Sequence, residues 1–275
     1  VAVNACPPLS SSEAGAYECT CDAGNYGNME KGCKTCPAGS VCTGGESIQS
    51  CPERSTSKEG AKSVEDCTCN VGHFEPSADA STFGPDCVTC PVDHYCPGGS
   101  VAVPCPAHTV SPRLSEKEEQ CTCAEGYFGA DPGSCKICPK GFFCPGGAVH
   151  TPCPANSYSL EGATSMGQCT CVPGYVGSSA DQCKPCPAGS FCEGGSHVQS
   201  CPEHSTSDEA SSRCACAPGY QGADPMQCAV CKANSYCPGE GKQHKCPVNT
   251  VADAGRKKER ECKCTRGYYG TGGDD

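Results

Sequence analysis

Cysteine dominates the chemistry open to this chain. Of its 275 residues 33 are Cys, beside 34 Gly, 24 Pro, no Trp, 10 Tyr and 6 Phe. The spacing Cys-x2-Cys recurs at Cys33/Cys36, Cys87/Cys90, Cys135/Cys138, Cys183/Cys186 and Cys228/Cys231. Three chemistries use such a spacing. A thioredoxin-type dithiol needs a βαβ setting, and the sequence offers none. Zinc uses Cys-x2-Cys as half of a four-thiolate site, but these cysteines outnumber any tetrahedral set. Structural cystine fits best. A Cys content above roughly 8–10% marks a disulfide scaffold, and cystines persist in oxidising compartments, so an extracellular or cell-surface location is expected.

Other reactive groups stand in no catalytic company. The seven histidines, His73, His94, His108, His150, His197, His204 and His244, are scattered outside metal-binding motifs. No serine sits on a strand–turn–helix elbow of the kind a hydrolytic triad needs. The reading is therefore not an enzyme, with no catalytic residue, no metal and no cofactor. A net charge of −11 argues against nucleic acid, because binding phosphate needs clustered Lys and Arg. No apolar run approaches the roughly 18–20 residues of a membrane span.

The cysteines are held in a repeat. Cys-x-Cys pairs occur at Cys19/Cys21, Cys67/Cys69, Cys121/Cys123, Cys169/Cys171, Cys214/Cys216 and Cys262/Cys264. Between them lie five copies of Cys-x2-Cys-x5-Cys-x8-Cys, beginning at Cys33, Cys87, Cys135, Cys183 and Cys228. Five six-cysteine copies, Cys6 from an earlier one and Cys262 and Cys264 from a later one account for all 33. The chain reads as a window cut from a longer array, with any targeting segment removed or upstream. The phase gives modules at 1–35 (the C-terminal part of a truncated module), 36–89 (with a long loop), 90–137, 138–185, 186–230 and 231–275 (truncated at its last disulfide).

Glycine and proline punctuate the chain every eight to twelve residues, as in Cys96-Pro97-Gly98-Gly99, and no stretch shows an apolar stripe of helical length and period. Short β-hairpins with almost no helix are expected; Glu116–Gln120 has the composition for one helical turn but, lying in the variable loop, is read as solvated. Aromatics cluster at two stations per module, one after Cys-x2-Gly as at Tyr127-Phe128 and one before Cys-x-Gly-Gly as at Tyr95, suggesting a miniature core repeated in each. Repeats that contact only their neighbours are quasi-one-dimensional, which predicts an elongated tandem array. Linkers as short as the two residues between Cys33 and Cys36 predict stiffness. The long loop Glu75–Asp86 is a candidate contact site.

The run Cys123-Ala-Glu-Gly126-Tyr127-Phe128-Gly129, closing at Cys135, resembles the C-terminal half of an EGF-like module. Cys105-Pro106 through Cys121-Thr-Cys123 to Tyr127-Phe128 resembles the cysteine-rich repeat of ephrin-receptor ectodomains and, more distantly, tumour-necrosis-factor-receptor modules. The resemblance covers essentially the whole chain. It implies a crossed pairing in each module: Cys36–Cys51, Cys42–Cys67 and Cys69–Cys87; Cys90–Cys105, Cys96–Cys121 and Cys123–Cys135; Cys138–Cys153, Cys144–Cys169 and Cys171–Cys183; Cys186–Cys201, Cys192–Cys214 and Cys216–Cys228; then Cys231–Cys246 and Cys237–Cys262, with Cys21–Cys33 at the start. Cys6, Cys19 and Cys264 are then unpaired within the window, with partners beyond it. A strictly sequential pairing, with Cys90–Cys96 and Cys105–Cys121, is the alternative and leaves only Cys264. Both share the Cys123–Cys135 type of bridge. The acidic flanks that give some EGF-like relatives a calcium site are absent.

Charge is uneven. Residues 231–275 carry nine Lys or Arg against six Asp or Glu, while residues 1–230 carry 11 against 25. Lys242, Lys245, Arg256, Lys257, Lys258 and Arg260 form a candidate patch for an anionic glycan or an acidic neighbour, and opposite charge invites head-to-tail attraction between copies. None of the seven Asn stands in an Asn-x-Ser/Thr acceptor sequence, while Ser and Thr leave O-glycans open. Two functions follow. The preferred one is a non-enzymatic extracellular structural protein, a stiff disulfide-stapled rod serving as spacer or filament segment of a larger surface or secreted protein. The alternative is a receptor or adhesin ectodomain binding a protein or glycan ligand. Partners are other copies of the chain or other extracellular proteins.

Overall fold

A four-residue turn after a cysteine starts nearly every element. In the computed structural model, which describes residues 5–76 and 84–270, the third residue after such a cysteine has a positive φ. Gly39 (78°), Gly72 (77°), Asp93 (60°), Gly189 (76°) and Gly219 (94°) are examples. The next residue donates its N–H back across the turn, as Ser40 does to the Pro37 carbonyl at 3.2 Å and Tyr220 to that of Ala217 at 3.0 Å. That is type II turn chemistry, with proline early and glycine or asparagine at the left-handed position. His108, Asn156 and His204 also take φ values of 61–65° there, at the modest cost such residues bear in that region.

Each turn launches a two-stranded antiparallel hairpin, mostly of two residues a side. Ser40–Val41 pairs with Gln49–Ser50, Ser55–Thr56 with Thr68–Cys69 and His73–Phe74 with Val88–Thr89. Later in the chain Ser190–Phe191 pairs with Gln199–Ser200, Ser205–Thr206 with Ala215–Cys216 and Tyr220–Gln221 with Ala229–Val230. Among the described residues there is no α-helix, only three-residue 3₁₀ turns such as Val64–Asp66, Met166–Gln168 and Glu259–Glu261. The stretch Glu116–Gln120, read from sequence as solvated loop rather than a helical turn, forms one of these at Glu118–Gln120. The fold is thus an array of small disulfide-rich repeats. It divides into two compact units, Val1–Lys136 with Gly146–Val149, and Ile137–Pro145 with His150–Asp275.

The cystines follow the hairpins, and their order departs from the crossed pattern. Sixteen bridges join neighbours in sequence. Cys36 bonds Cys42 rather than Cys51, and Cys51 bonds Cys67. Cys90–Cys96 and Cys105–Cys121 replace Cys90–Cys105 and Cys96–Cys121. Likewise Cys138–Cys144 and Cys153–Cys169 replace Cys138–Cys153 and Cys144–Cys169. Cys186–Cys192 and Cys201–Cys214 replace Cys186–Cys201 and Cys192–Cys214. Cys231–Cys237 and Cys246–Cys262 replace Cys231–Cys246 and Cys237–Cys262. The type II turn is the reason. It reverses the chain within six residues and brings the Cα atoms of Cys36 and Cys42 to 5.7 Å, inside bridging range. Cys51 is left to face the loop of the next hairpin. Cys6 and Cys19, expected to be unpaired, bond each other, whereas Cys264 is exposed and has no bridge. Bridges of the type common to both patterns are present as Cys21–Cys33, Cys69–Cys87, Cys123–Cys135, Cys171–Cys183 and Cys216–Cys228.

These cystines are the core. Ten cysteines of the six-residue bridges, from Cys36 and Cys42 to Cys231 and Cys237, are 0% exposed. The aromatic stations expected to form a miniature core are only half-buried at Phe74, Tyr95, Tyr127, Phe191 and Tyr220. Small residues and backbone hydrogen bonds fill the rest. Gly39 N–H donates to Ser57 O at 3.0 Å and its carbonyl receives Cys51 N–H at 3.0 Å; Gly189 repeats this with Ser207 and Cys201. Each hairpin is thus tied to the next through one turn residue. Buried serines add a second tie: Ser57 Oγ donates to Ser40 O at 2.7 Å, Ser111 to His94 O at 2.8 Å and Ser159 to Phe142 O at 2.6 Å. Most of the loop Glu75–Asp86 lies outside the described residues.

A third tie needs glycine. In Cys-x-Gly-Gly the second glycine donates to the cysteine carbonyl of the preceding hairpin, Gly99 to Cys69 at 2.9 Å and Gly195 to Cys171 at 2.9 Å. A Cβ on the first glycine would lie 2.8 Å from the Cys69 carbonyl oxygen at Gly98, where φ is 100°, whereas one on Gly99 would meet nothing within 4 Å. Gly98→Ala is therefore expected to destabilise its module by about 1–3 kcal/mol through strain and lost docking, and Gly99→Ala by less. Amide hydrogen exchange of the oxidised chain checks this: the Gly99 amide loses protection in Gly98→Ala.

Candidate functional site: the basic face of the last module

The six candidate cations lie on two adjoining segments. Lys242 and Lys245 stand on the exposed strand Lys242–Lys245, which pairs with Ser235–Gly239. This hairpin is longer than its counterparts because Cys237-Pro-Gly-Glu-Gly241 stands where other copies have Cys-x-Gly-Gly, and the register shifts between Tyr236 and Gly239. Arg256, Lys257, Lys258 and Arg260 lie on the loop entering and forming the 3₁₀ turn Glu259–Glu261. Cys237 N–H donates to Arg256 O at 2.9 Å, and Tyr236 Oη donates to Glu259 Oε2 at 3.2 Å. Tyr236 also stacks on His244 with ring centroids 5.3 Å apart. Partial burial, with the Glu259 carboxylate beside it, pushes the Tyr236 phenol above the usual tyrosine range.

Carboxylates interleave with these cations. Lys242 Nζ pairs with Glu240, which the bond to Lys242 holds below the ordinary glutamate value, and Arg256 pairs with Asp253. Lys245, Lys257 and Lys258 make no ion pair among the described residues. Lys257 has a packing role, since its methylene stem lies against Gly219, as the stem of Lys62 lies against Gly24. The site is thus a mixed-charge surface with three outward ammonium groups. It presents no nucleophile–base pair, and no group of three or more His, Cys, Asp or Glu among the described residues could hold a metal ion.

Histidine is used for packing. His108 stacks on Tyr127 at 4.2 Å and His204 on Tyr220 at 4.3 Å, each from the left-handed turn position onto the aromatic of the next hairpin. His94 Nδ1 contacts Val92 O at 3.0 Å, and Phe142 meets His150 at 5.0 Å. No helix among the described residues is long and apolar enough to cross a membrane.

Sequence reasoning missed a recurrent cap. Where the loop before Cys-x-Cys is long, the residue preceding the first cysteine folds back onto the 3₁₀ turn. Asp66 accepts from Lys62 and Ser63 N–H at 2.6 and 3.1 Å, and Glu261 from Lys257 and Lys258 N–H at 2.7 and 3.4 Å. Gln120 Oε1 accepts from Glu116 and Lys117 in the same way. The signal was an Asp, Glu or Gln directly before the cysteine. The bond from Lys62 N–H holds Asp66 below the ordinary aspartate value, and that from Lys257 N–H does the same to Glu261.

No family model matches the chain. A curated protein, cysteine repeat modular protein A of Toxoplasma gondii, is 37% identical over 90 residues, covering 29% of this chain and 3% of that protein. The match thus spans a small fraction of a much longer relative. Repeat, cystine array and this similarity together mark the chain as a cysteine-rich repeat protein.

A carboxylate whose pKa is lowered by folding adds stability above its unfolded pKa and loses it as pH falls through the folded value. The turn before Cys262 is therefore expected to loosen as pH falls below the ordinary glutamate range, about 4.3. Glu261→Gln should keep the turn and abolish its pH dependence, because Gln120 and Gln168 make the same kind of cap with an amide oxygen. Amide chemical shifts of Lys257 and Lys258 followed from pH 7 to pH 2 check both outcomes.

Proposed function

We propose that the chain is a non-enzymatic extracellular spacer, a force-bearing segment of a larger secreted or surface protein, as spacer or filament. The observation that carries this reading is the sequential cystine order. In the repeat from Cys90 to Cys138, three bridges with Cα–Cα distances of 5.8, 5.8 and 5.6 Å short-circuit the backbone over separations of 6, 16 and 12 residues. Only short stretches outside the bridges can pay out under load. Hairpin-to-hairpin hydrogen bonds resist even that extension. Persistent cystines support an oxidising, extracellular setting.

The EGF-like reading is supported by the Cys123–Cys135 half-module, and the ephrin-receptor type by the spacing alone. A receptor or adhesin role through the basic face is supported less, because four carboxylates (Glu240, Asp253, Glu259 and Glu261) dilute its positive potential. Anionic glycan and head-to-tail contact between copies remain secondary partners on this reading.

Pulling the oxidised chain should extend each repeat to about 65 Å at most, from about 14 unbridged residues plus three bridges, against about 165 Å after reduction. Single-molecule force spectroscopy with and without reductant measures both. An oxidised chain that reaches the reduced length overturns the spacer reading.

A further inference from the structure

The Cys-x-Cys strand presents one residue outward between two bridged cysteines. Thr20, Thr68, Thr122 and Thr170 occupy this place and are exposed, while the cysteine after each is 3–4% exposed. Their side chains make no hydrogen bond among the described residues, which sets them apart from most repeating hydroxyls. Ser55, Thr109, Ser157 and Ser205 donate to the carbonyl of the proline three residues back, each at 2.7 Å. Ser57, Ser111, Ser159 and Ser207 are tied across hairpins. The Ser-Thr-Ser runs that look uniformly exposed in sequence are therefore largely spent on internal bonds.

We propose that Thr20, Thr68, Thr122 and Thr170 are O-glycosylation acceptors of the folded repeat. Three features make them suited to an enzyme that reads a folded module. The hydroxyl is free of internal bonds. Bridges on both flanks fix the backbone that carries it. The opposing residue is small or flat, Thr56 across from Thr68, Val110 from Thr122 and Tyr158 from Thr170, which leaves room for a sugar and, at Val110 and Tyr158, an exposed apolar surface for it to cover. In the transfer a nucleoside-diphosphate sugar loses its C1–O bond to diphosphate. A C1–Oγ1 bond forms on threonine, the hydroxyl proton passes to the transferase's base, and the nucleoside diphosphate leaves. Because no Asn lies in an acceptor sequence, such sugars would supply the carbohydrate cover of this segment. The same register position holds Ala215 and Lys263 in the other two copies, so the chain carries its own negative controls.

The proposal rests on the extracellular reading, since both need passage through a secretory lumen. The test is site-resolving mass spectrometry of unreduced peptides from the chain secreted by cells of its source. Glycosyl increments on the four threonines, in peptides whose cystines are closed, are the expected result. Lys263→Thr should gain an increment and Thr122→Ala should lose one, with the cystine map unchanged in both. Closed cystines with unmodified threonines, a phosphoryl increment instead, or sugar confined to the internally bonded hydroxyls would overturn the acceptor assignment alone. Free thiols throughout would overturn the extracellular reading with it.

Discussion

The chain reversal after each cysteine governs the rest of the structure, and its weight shows against the disulfide energetics. In the loop-entropy account a bridge gains with the length of loop it closes. Closing Cys36–Cys51 and Cys42–Cys67 would constrain the unfolded chain more than Cys36–Cys42 and Cys51–Cys67, by about 1 kcal/mol per module. That is the size of one hydrogen bond. The turn at Pro37–Ser40 and the bonds from Gly39 to Ser57 and Cys51 hold the sequential geometry with more than one such interaction, and they bury Cys36 and Cys42 completely. Local backbone chemistry therefore decides between two pairings that chain entropy separates only weakly.

Once the turn is set, polar groups do work that a larger domain leaves to apolar packing. A 48-residue repeat is near the limit at which a chain can bury enough surface to fold unaided. Among the described residues the buried set is cystine sulfur, small residues and hydroxyls whose bonds are satisfied, with Val41, Ala61 and Cys67 as an apolar cluster. Satisfied serines such as Ser57 and Ser159 are cheap to bury. Aromatics instead sit half-exposed, capping the seam between hairpins, as Tyr127 under His108 and Tyr220 under His204.

Much of this was legible in sequence, for physical reasons. Repeat length, hairpin content and the lack of α-helix among the described residues follow from Cys, Gly and Pro spacing, because those residues act through local geometry. The bridges closing Cys21–Cys33 and Cys123–Cys135 stand in both pairing schemes. What spacing could not reveal was which partner the turn brings near: Cys36 is separated from Cys42 and Cys51 by loops that both admit bridges, and family resemblance favoured the longer. The basic face was legible only as composition. Its cations are sequence neighbours, but that Glu259 turns toward Tyr236 Oη depends on the hairpin reaching the loop. Which hydroxyls are internally bonded was equally hidden in sequence, since Ser55 and Ser57 differ from the exposed Thr56 only through their places around a two-residue strand.

The sequential order also explains where the repeat tolerates change. Every variable loop has both ends pinned by a single bridge, so lengthening it alters only what lies between two fixed cysteines. Cys201–Cys214 closes a separation of 13 and lacks the 3₁₀ turn, whereas Cys153–Cys169 closes 16 and contains Met166–Gln168, yet their Cα atoms stand 5.7 and 5.8 Å apart. The three extra residues are absorbed as one capped turn on the surface, and the two strands that flank the loop keep their register. In a crossed pairing the same insertion would lengthen the Cys144–Cys169 loop, which interlocks with that of Cys138–Cys153. A linear chain of independent staples can therefore vary one repeat at a time, which is what a protein assembled from many copies of one small unit requires.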